Sequence, residues 1–180
     1  KDLSRFYFCP NFMEWTNKHK PTFDKITKDE PRIIIPLRDE KGMLFGFQGR
    51  ALNPDSKLRY ITIMLDEDAP KVYGLDKIDK TKDVFVTEGP FDATFLTNSI
   101  AMCGSDVDLS CYNYRFVFVF DNEPRNRQIV NKIDKTISQG QRVVIYPKGV
   151  IDKDLNDMVL SGLDVQEMVK SNIYSGLEAK

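Results

Sequence analysis

The chain has 180 residues, 41% of them apolar and 29% charged, with a formal net charge of -1. This is ordinary globular composition, with room for one domain or two small ones. It argues against a protein that grips nucleic acid through bulk positive charge. No apolar run approaches the roughly 20 residues a bilayer-spanning helix needs, and no signal-peptide pattern is present, so a cytoplasmic location is expected. The single histidine, His19, and the three scattered cysteines, Cys9, Cys103 and Cys111, cannot assemble a structural zinc site. Reduced thiols are expected. The first residue is Lys1 rather than Met, which suggests a fragment of a longer chain. Cations outnumber acids over residues 1–82 and acids outnumber cations over 83–180.

Residues 1–31 are aromatic and basic, with Phe6, Tyr7, Phe8, Phe12 and Trp15 close together, and predict a short helix or loop packed on the domain after it. Arg32–Leu37 predicts a strand, Asp39–Gly42 a turn and Met43–Gln48 the returning strand of a hairpin. A further strand is predicted over Arg59–Met64, after the Asn53-Pro54-Asp55-Ser56 turn. This first block reads as antiparallel.

From Asp83 the pattern changes to alternating strand and helix. The apolar run 83–87 leads into a helix beginning at Pro90, a residue suited to the first helical position. A short strand near Ile100–Cys103 comes next, then the run 115–120, then a helix near Asn126–Ser138 closed by Gly140. A strand over Arg142–Tyr146 and two short helices, near 155–161 and 165–173, complete the chain. Continuous apolar strands of this kind are buried on both faces, as in a parallel sheet. The fold class predicted is α/β: a central, mostly parallel sheet flanked by helices, preceded by a small mixed α+β unit. The corresponding division is residues 1–80, 81–150 and 151–180.

In a parallel sheet ligands bind beyond the carboxyl ends of the strands. Glu88 and Asp92 lie just past the first apolar strand there, and Asp121 and Glu123 just past the second. Carboxylates gathered without a cation raise one another's pKa, and a hard divalent ion is their natural partner. Each residue also has a plainer reading. Asp92 would favour the helix macrodipole, and Asp121 with Glu123 would suit a helix amino terminus. In Asp152-Lys153-Asp154-Leu155-Asn156-Asp157 the acids have the spacing of a capping box, and Asp164 with Glu167 repeats it. In the first block, Gly46-Phe47-Gln48-Gly49-Arg50 and Lys57-Leu58-Arg59-Tyr60 combine glycines, cations and an aromatic ring. Such segments allow close backbone approach, phosphate recognition and base stacking, or are simply a solvated strand edge.

Val86-Thr87-Glu88-Gly89-Pro90-Phe91-Asp92-Ala93 followed by Val119-Phe120-Asp121-Asn122-Glu123 resembles the TOPRIM signature shared by bacterial-type primases, topoisomerases and some nucleases. Residues 32–39, 46–52, 59–62 and 72–75 resemble the polymerase core of the bacterial primase family in order and spacing. Residues 47–52, 59–63, 121–125 and 153–158 are similar to the branch of that family found in T-even-like tailed phages. Two departures stand out. Glu123 occupies a position that is usually Asp in the bacterial enzymes, and the family's amino-terminal zinc ribbon is absent.

The resemblance implies a DNA primase core that makes short RNA primers on a single-stranded DNA template by metal-dependent nucleotidyl transfer during replication. It implies two or more Mg2+ or Mn2+ ions held by Glu88, Asp121, Glu123 and Asp154, with Asp157 and Asp152 as further candidates. It implies catalytic roles for Glu88 and Asp92, and nucleotide or nucleic-acid binding by Arg50, Arg59, Tyr60, Arg125 and Lys153. Its implied partners are template, ribonucleoside triphosphates, the RNA–DNA primer duplex, a replicative helicase and a separate zinc-ribbon domain, in a host cytoplasm if the protein is phage-encoded. A TOPRIM nuclease and a non-catalytic primosome module are the competing readings.

Overall fold

A computed structural model of the protein describes residues 5–26, 28–104 and 107–179. Lys1 and the start of the aromatic segment lie outside them. Two sheets organise the chain. The first is antiparallel throughout, in the order β1-β2-β3-β4. It comprises β1 (Tyr7–Cys9), β2 (Arg32–Arg38), β3 (Leu44–Ala51) and β4 (Tyr60–Met64), with helix α1 (Phe12–His19) between β1 and β2. The hairpin and the third strand match the sequence pattern. The aromatic segment differs from expectation: Tyr7–Cys9 is a strand paired with β2, and the helix begins only at Phe12.

Phe12 explains why Gly49 lies opposite the helix. The Phe12 ring is fully buried, and a Cβ on Gly49 would lie 2.3 Å from it. The glycine therefore serves core packing, where the sequence had suggested close approach to a ligand. Arg32, also buried, donates from Nη1 to the carbonyls of Gly49 (3.0 Å) and Leu58 (2.9 Å) and pairs with Glu30. Its guanidinium carbon stands 5.5 Å from the centroid of the Phe12 ring.

The second sheet has the order β10-β9-β8-β6-β7-β5. Its centre is parallel: β6 (Asp83–Thr87), β7 (Ser99–Met102), β8 (Arg115–Val119) and β9 (Arg142–Val144). Both edges are antiparallel, formed by β5 (Val72–Tyr73) and β10 (Ile173–Tyr174). The parallel strands bury Val84, Val86, Val117 and Val143 almost completely, as continuous apolar runs require. Helix α2 (Pro90–Ala93) follows β6 and is only four residues long; α3 (Arg127–Ser138) follows β8; α4 (Leu155–Leu160) and α5 (Val165–Ser171) follow β9. Asn126, Asp154 and Asp164 cap α3, α4 and α5 by accepting from the backbone N–H of Gln128, Asp157 and Glu167.

One core joins the sheets. Ile35, Leu37 and Phe45 of the antiparallel sheet pack with Val72, Val84, Val86 and Ile100 of the other. Phe6 adds edge-on contacts to Tyr73 (5.9 Å between centroids) and Phe91 (5.2 Å). At the amino ends of the parallel strands, Arg142 holds Asp83 through two hydrogen bonds of 2.9 and 3.0 Å, and Arg115 approaches the same carboxylate to 3.3 Å. That end of the sheet is electrostatically closed. Among the described residues, no helix is long and apolar enough to cross a membrane.

Candidate active site

The parallel register sets the geometry at the opposite end. Thr87 of β6 pairs with Val119 of β8, so Glu88 and Asp121 emerge within a residue of the same level. Thr87 Oγ donates to the Gly89 carbonyl (3.0 Å), and α2 starts at once with Pro90. This tight turn carries Asp92 back over the strand ends. A Cβ on Gly89 would stand 3.0 Å from Asp92 Oδ2, so the glycine leaves space for that carboxylate.

Asp92, Asp121 and Asp154 form an electrostatically coupled set. Burial pushes the Asp92 carboxyl up to about 7, with further contributions from Asp154 and Asp121, offset partly by Arg50. Burial likewise raises Asp121 to about 6, reinforced by Glu88, Asp154 and Glu123 and opposed by Lys153. Tyr146, just past β9, belongs to the same neighbourhood. Its hydroxyl donates to the Phe120 carbonyl (3.1 Å), and burial, together with Asp121, Asp92 and Asp154, holds the phenol strongly neutral.

Two lysines partly neutralise the rim. Lys132 of α3 reaches Glu88 Oε1 at 2.5 Å, and Lys153 lies 3.6 Å from Glu123. Asn126 Nδ2 also approaches Glu123, at 3.3 Å. Asp154 Oδ1 is occupied in capping α4, accepting from the Asp157 N–H at 2.8 Å. Capping and membership of the acidic set are therefore both true of Asp154. Asp152 accepts from Ser161 Oγ at 2.7 Å, and Asp157 is exposed in the first turn of α4. Neither appears among the charges that act on Asp92 or Asp121.

The antiparallel sheet supplies a cation to this crevice. Arg50, near the end of β3, hydrogen-bonds the Tyr60 hydroxyl. Its guanidinium carbon lies 5.0 Å from the Tyr60 ring centroid and 4.9 Å from that of Phe91. Burial raises the Tyr60 pKa while Arg50 opposes the rise. Arg59 is exposed beside β4, Arg125 is exposed in the turn before α3, and Lys153 is exposed on the loop before α4. Asn122, Lys132 and Tyr146 escaped the sequence reading as site residues. Asn122 stood in view between two acids, but its partners lie about thirty residues away, which no local pattern reveals.

The oxygen donors suit a hard divalent ion. Among the described residues no three carboxylate, histidine or cysteine groups are gathered closely enough to enclose one as the side chains stand. Mg2+ does not require such a cage, because it keeps several waters and is held by one or two carboxylates together with substrate phosphates. Burial first, and neighbouring carboxylates second, raise the Asp92 and Asp121 pKa values, and a bound cation would oppose both effects.

A mixed sheet with acids at its parallel carboxyl ends, joined to an antiparallel sheet, is the TOPRIM-containing fold of bacterial primase catalytic cores. The Aquifex aeolicus primase structure, with zinc-binding and RNA polymerase domains, superposes with a TM-score of 0.67 at 19% identity, covering 93% of this chain and 51% of that one. The RNA polymerase domain of Mycobacterium tuberculosis primase, solved with a double-stranded DNA oligomer bearing a 6-nucleotide overhang, superposes with a TM-score of 0.67 at 18% identity, covering 97% of this chain and 68% of that one. In sequence the chain is 36% identical to the DNA primase of Enterobacteria phage T4 over 97% of its own length. The chain is thus a homologue of the DNA primases and carries the fold of their catalytic core. It spans 53% of the phage T4 relative. No family model matches the chain.

Proposed function

We propose that this chain is the nucleotidyl-transfer core of a DNA primase, extending RNA on a single-stranded DNA template. The observation that carries the reading is the coupled set Asp92, Asp121 and Asp154 at one end of the parallel sheet, faced by Arg50 from the other sheet. In this reading Asp121, Glu123 and Asp154 hold Mg2+ or Mn2+, with Glu88 at the edge of the set and Asp152 and Asp157 as reserve ligands on the same loop and helix. When bound, such ions lower the pKa of the attacking 3′-hydroxyl and neutralise charge on the departing pyrophosphate.

The chain's own residues position and balance charge. Glu88, oriented by Lys132, orders that centre or accepts the hydroxyl proton, and Asp92 supports it from α2. Arg50 is held between two rings with its charge toward Asp92, ready for a phosphate oxygen. In this reading the exposed Arg59, Arg125 and Lys153 contact nucleotide or nucleic-acid backbone. Residues 1–80 grip the nucleic acid, 81–150 hold the metal, and 151–180 supply the third acidic loop. Ribonucleoside triphosphates, the RNA–DNA duplex, a replicative helicase and a zinc-ribbon domain are the partners this reading requires.

The test is extension of an RNA primer annealed to single-stranded template, with ribonucleotides and Mg2+ or Mn2+. Labelled primer should lengthen, and Glu88→Gln or Asp121→Asn should reduce the rate at least a hundredfold. Loss of template with no lengthened product would favour hydrolysis at the same carboxylates. Neither lengthened primer nor lost template from the wild type would favour a non-catalytic module.

A further inference from the structure

We infer that Asn122 is a positioning residue that sets the spacing between Asp121 and Asp154; the inference rests on the reading of these acids as metal ligands. Asp121 and Asp154 belong to segments separated by α3 and β9, so tertiary contacts must bring them together. Asn122 makes three of the bonds that do so. Its backbone N–H donates to the Lys153 carbonyl at 2.7 Å. Its side-chain Nδ2 donates to the carbonyls of Val150 (2.9 Å) and Asp152 (3.0 Å). The loop before α4 is thereby fastened at residues 150, 152 and 153, directly ahead of Asp154.

A primary amide suits this position, because one Nδ2 carries two N–H donors, one for each carbonyl. A carboxylate there would present acceptors to acceptors. An aspartate would also add charge to an already crowded acidic crevice. Alanine keeps the backbone bond to Lys153 and loses both side-chain bonds. On the other side of Asp121, the Tyr146 hydroxyl holds the Phe120 carbonyl, so this acid is bracketed by ties to the segment after β9. Asp154 needs the support because its Oδ1 already caps α4, so that in this reading Oδ2 is the oxygen left for an ion.

The experiment is Mn2+ binding by the chain, read as the loss of the free-ion electron paramagnetic resonance signal, in Asn122→Ala, Asp154→Ala and the double variant. Thermal melts and primer extension across a Mn2+ titration accompany it. Asn122→Ala is expected to weaken Mn2+ at least tenfold and to shift half-maximal extension to correspondingly higher Mn2+. The double variant should bind no more weakly than Asp154→Ala alone, because Asn122 acts through Asp154. A lowered melting temperature with unchanged Mn2+ affinity would reduce Asn122 to a structural residue and overturn the inference, as would additive losses in the double variant. Wild-type binding without extension would sink the primase reading and leave this one standing. Absence of Mn2+ binding by the wild type would overturn both.

Discussion

The Arg50 guanidinium carbon stands 4.9 Å from the Phe91 ring centroid, so a cation from the antiparallel sheet rests on the residue that immediately precedes Asp92. The contact ties the antiparallel sheet to the acidic end of the mixed sheet. A guanidinium is suited to it because its plane stacks on a ring while its edges remain free to donate.

Replacing Arg50 by lysine should therefore not be conservative. The ammonium keeps the charge but loses the planar stack between Tyr60 and Phe91. The expected outcome in primer extension is a KM for nucleotide raised about tenfold, corresponding to roughly 1.4 kcal/mol. Thermal stability should change little. Steady-state kinetics of Arg50→Lys and Phe91→Leu would check this, with Phe91→Leu showing the same trend more weakly.

The acidic crevice predicts a distinctive dependence of stability on pH. Asp92 sits near 7 in the folded protein, above its ordinary value, so the folded state binds protons more tightly than the unfolded state. Stability is then lost as pH rises from about 4 through about 7. Asp121, near 6, acts in the same sense. Asp92→Asn should flatten that loss and raise stability near pH 8 by on the order of 2 kcal/mol when divalent ions are chelated. Adding Mn2+ should stabilise the wild type and benefit the variant less. Denaturant titrations at several pH values, with chelator and with Mn2+, measure both effects.

The opposite end of the sheet behaves in the opposite way. Arg142, with Arg115 nearby, holds the Asp83 carboxyl below its ordinary range. This group contributes stability that is present above the unfolded carboxylate pKa and lost as pH falls through its folded value. Arg142→Gln should lower the melting temperature at pH 7 and make less difference at pH 3. Extension activity at low temperature should be unchanged, because these residues lie at the far ends of the strands.

Gly89→Ala tests the tight turn. The new Cβ would press on Asp92 Oδ2, at 3.0 Å, without touching the hydrophobic core. Extension should fall by tenfold or more while the melting temperature moves by only a few degrees. Gly49→Ala should do the reverse, because its Cβ would meet the buried Phe12 ring and overpacking of this kind costs about 1–3 kcal/mol.

The parallel centre of the fold was legible because runs such as Val84–Val86 and Phe116–Val119 carry their burial in their own composition. Three short edge strands, Tyr7–Cys9, Val72–Tyr73 and Ile173–Tyr174, were not. A strand of two or three residues at a sheet edge is specified by its partner, and its own periodicity is too short to register. The same division runs through the site. Glu88, Asp92, Asp121 and Glu123 were visible as acids at strand ends. Lys132, Tyr146 and the loop-fastening role of Asn122 depend on contacts spanning tens of residues. Asp154 was visible but ambiguous, since the sequence could not reveal that a helix cap would also act on Asp92 and Asp121.

The closed pairing of Asp83 with Arg142 gives the molecule an electrical asymmetry along its strands. One pole carries its own counterions in covalently attached form, so its charge is constant across ordinary conditions. The other is only partly neutralised by Lys132 and Lys153, and in the proposed reading ions from solution supply the remainder, so that its charge would report what is bound. Electrophoretic mobility under native conditions should then shift when divalent ions are supplied. That shift would need no label and no substrate, and it would track the state of one end of the protein alone.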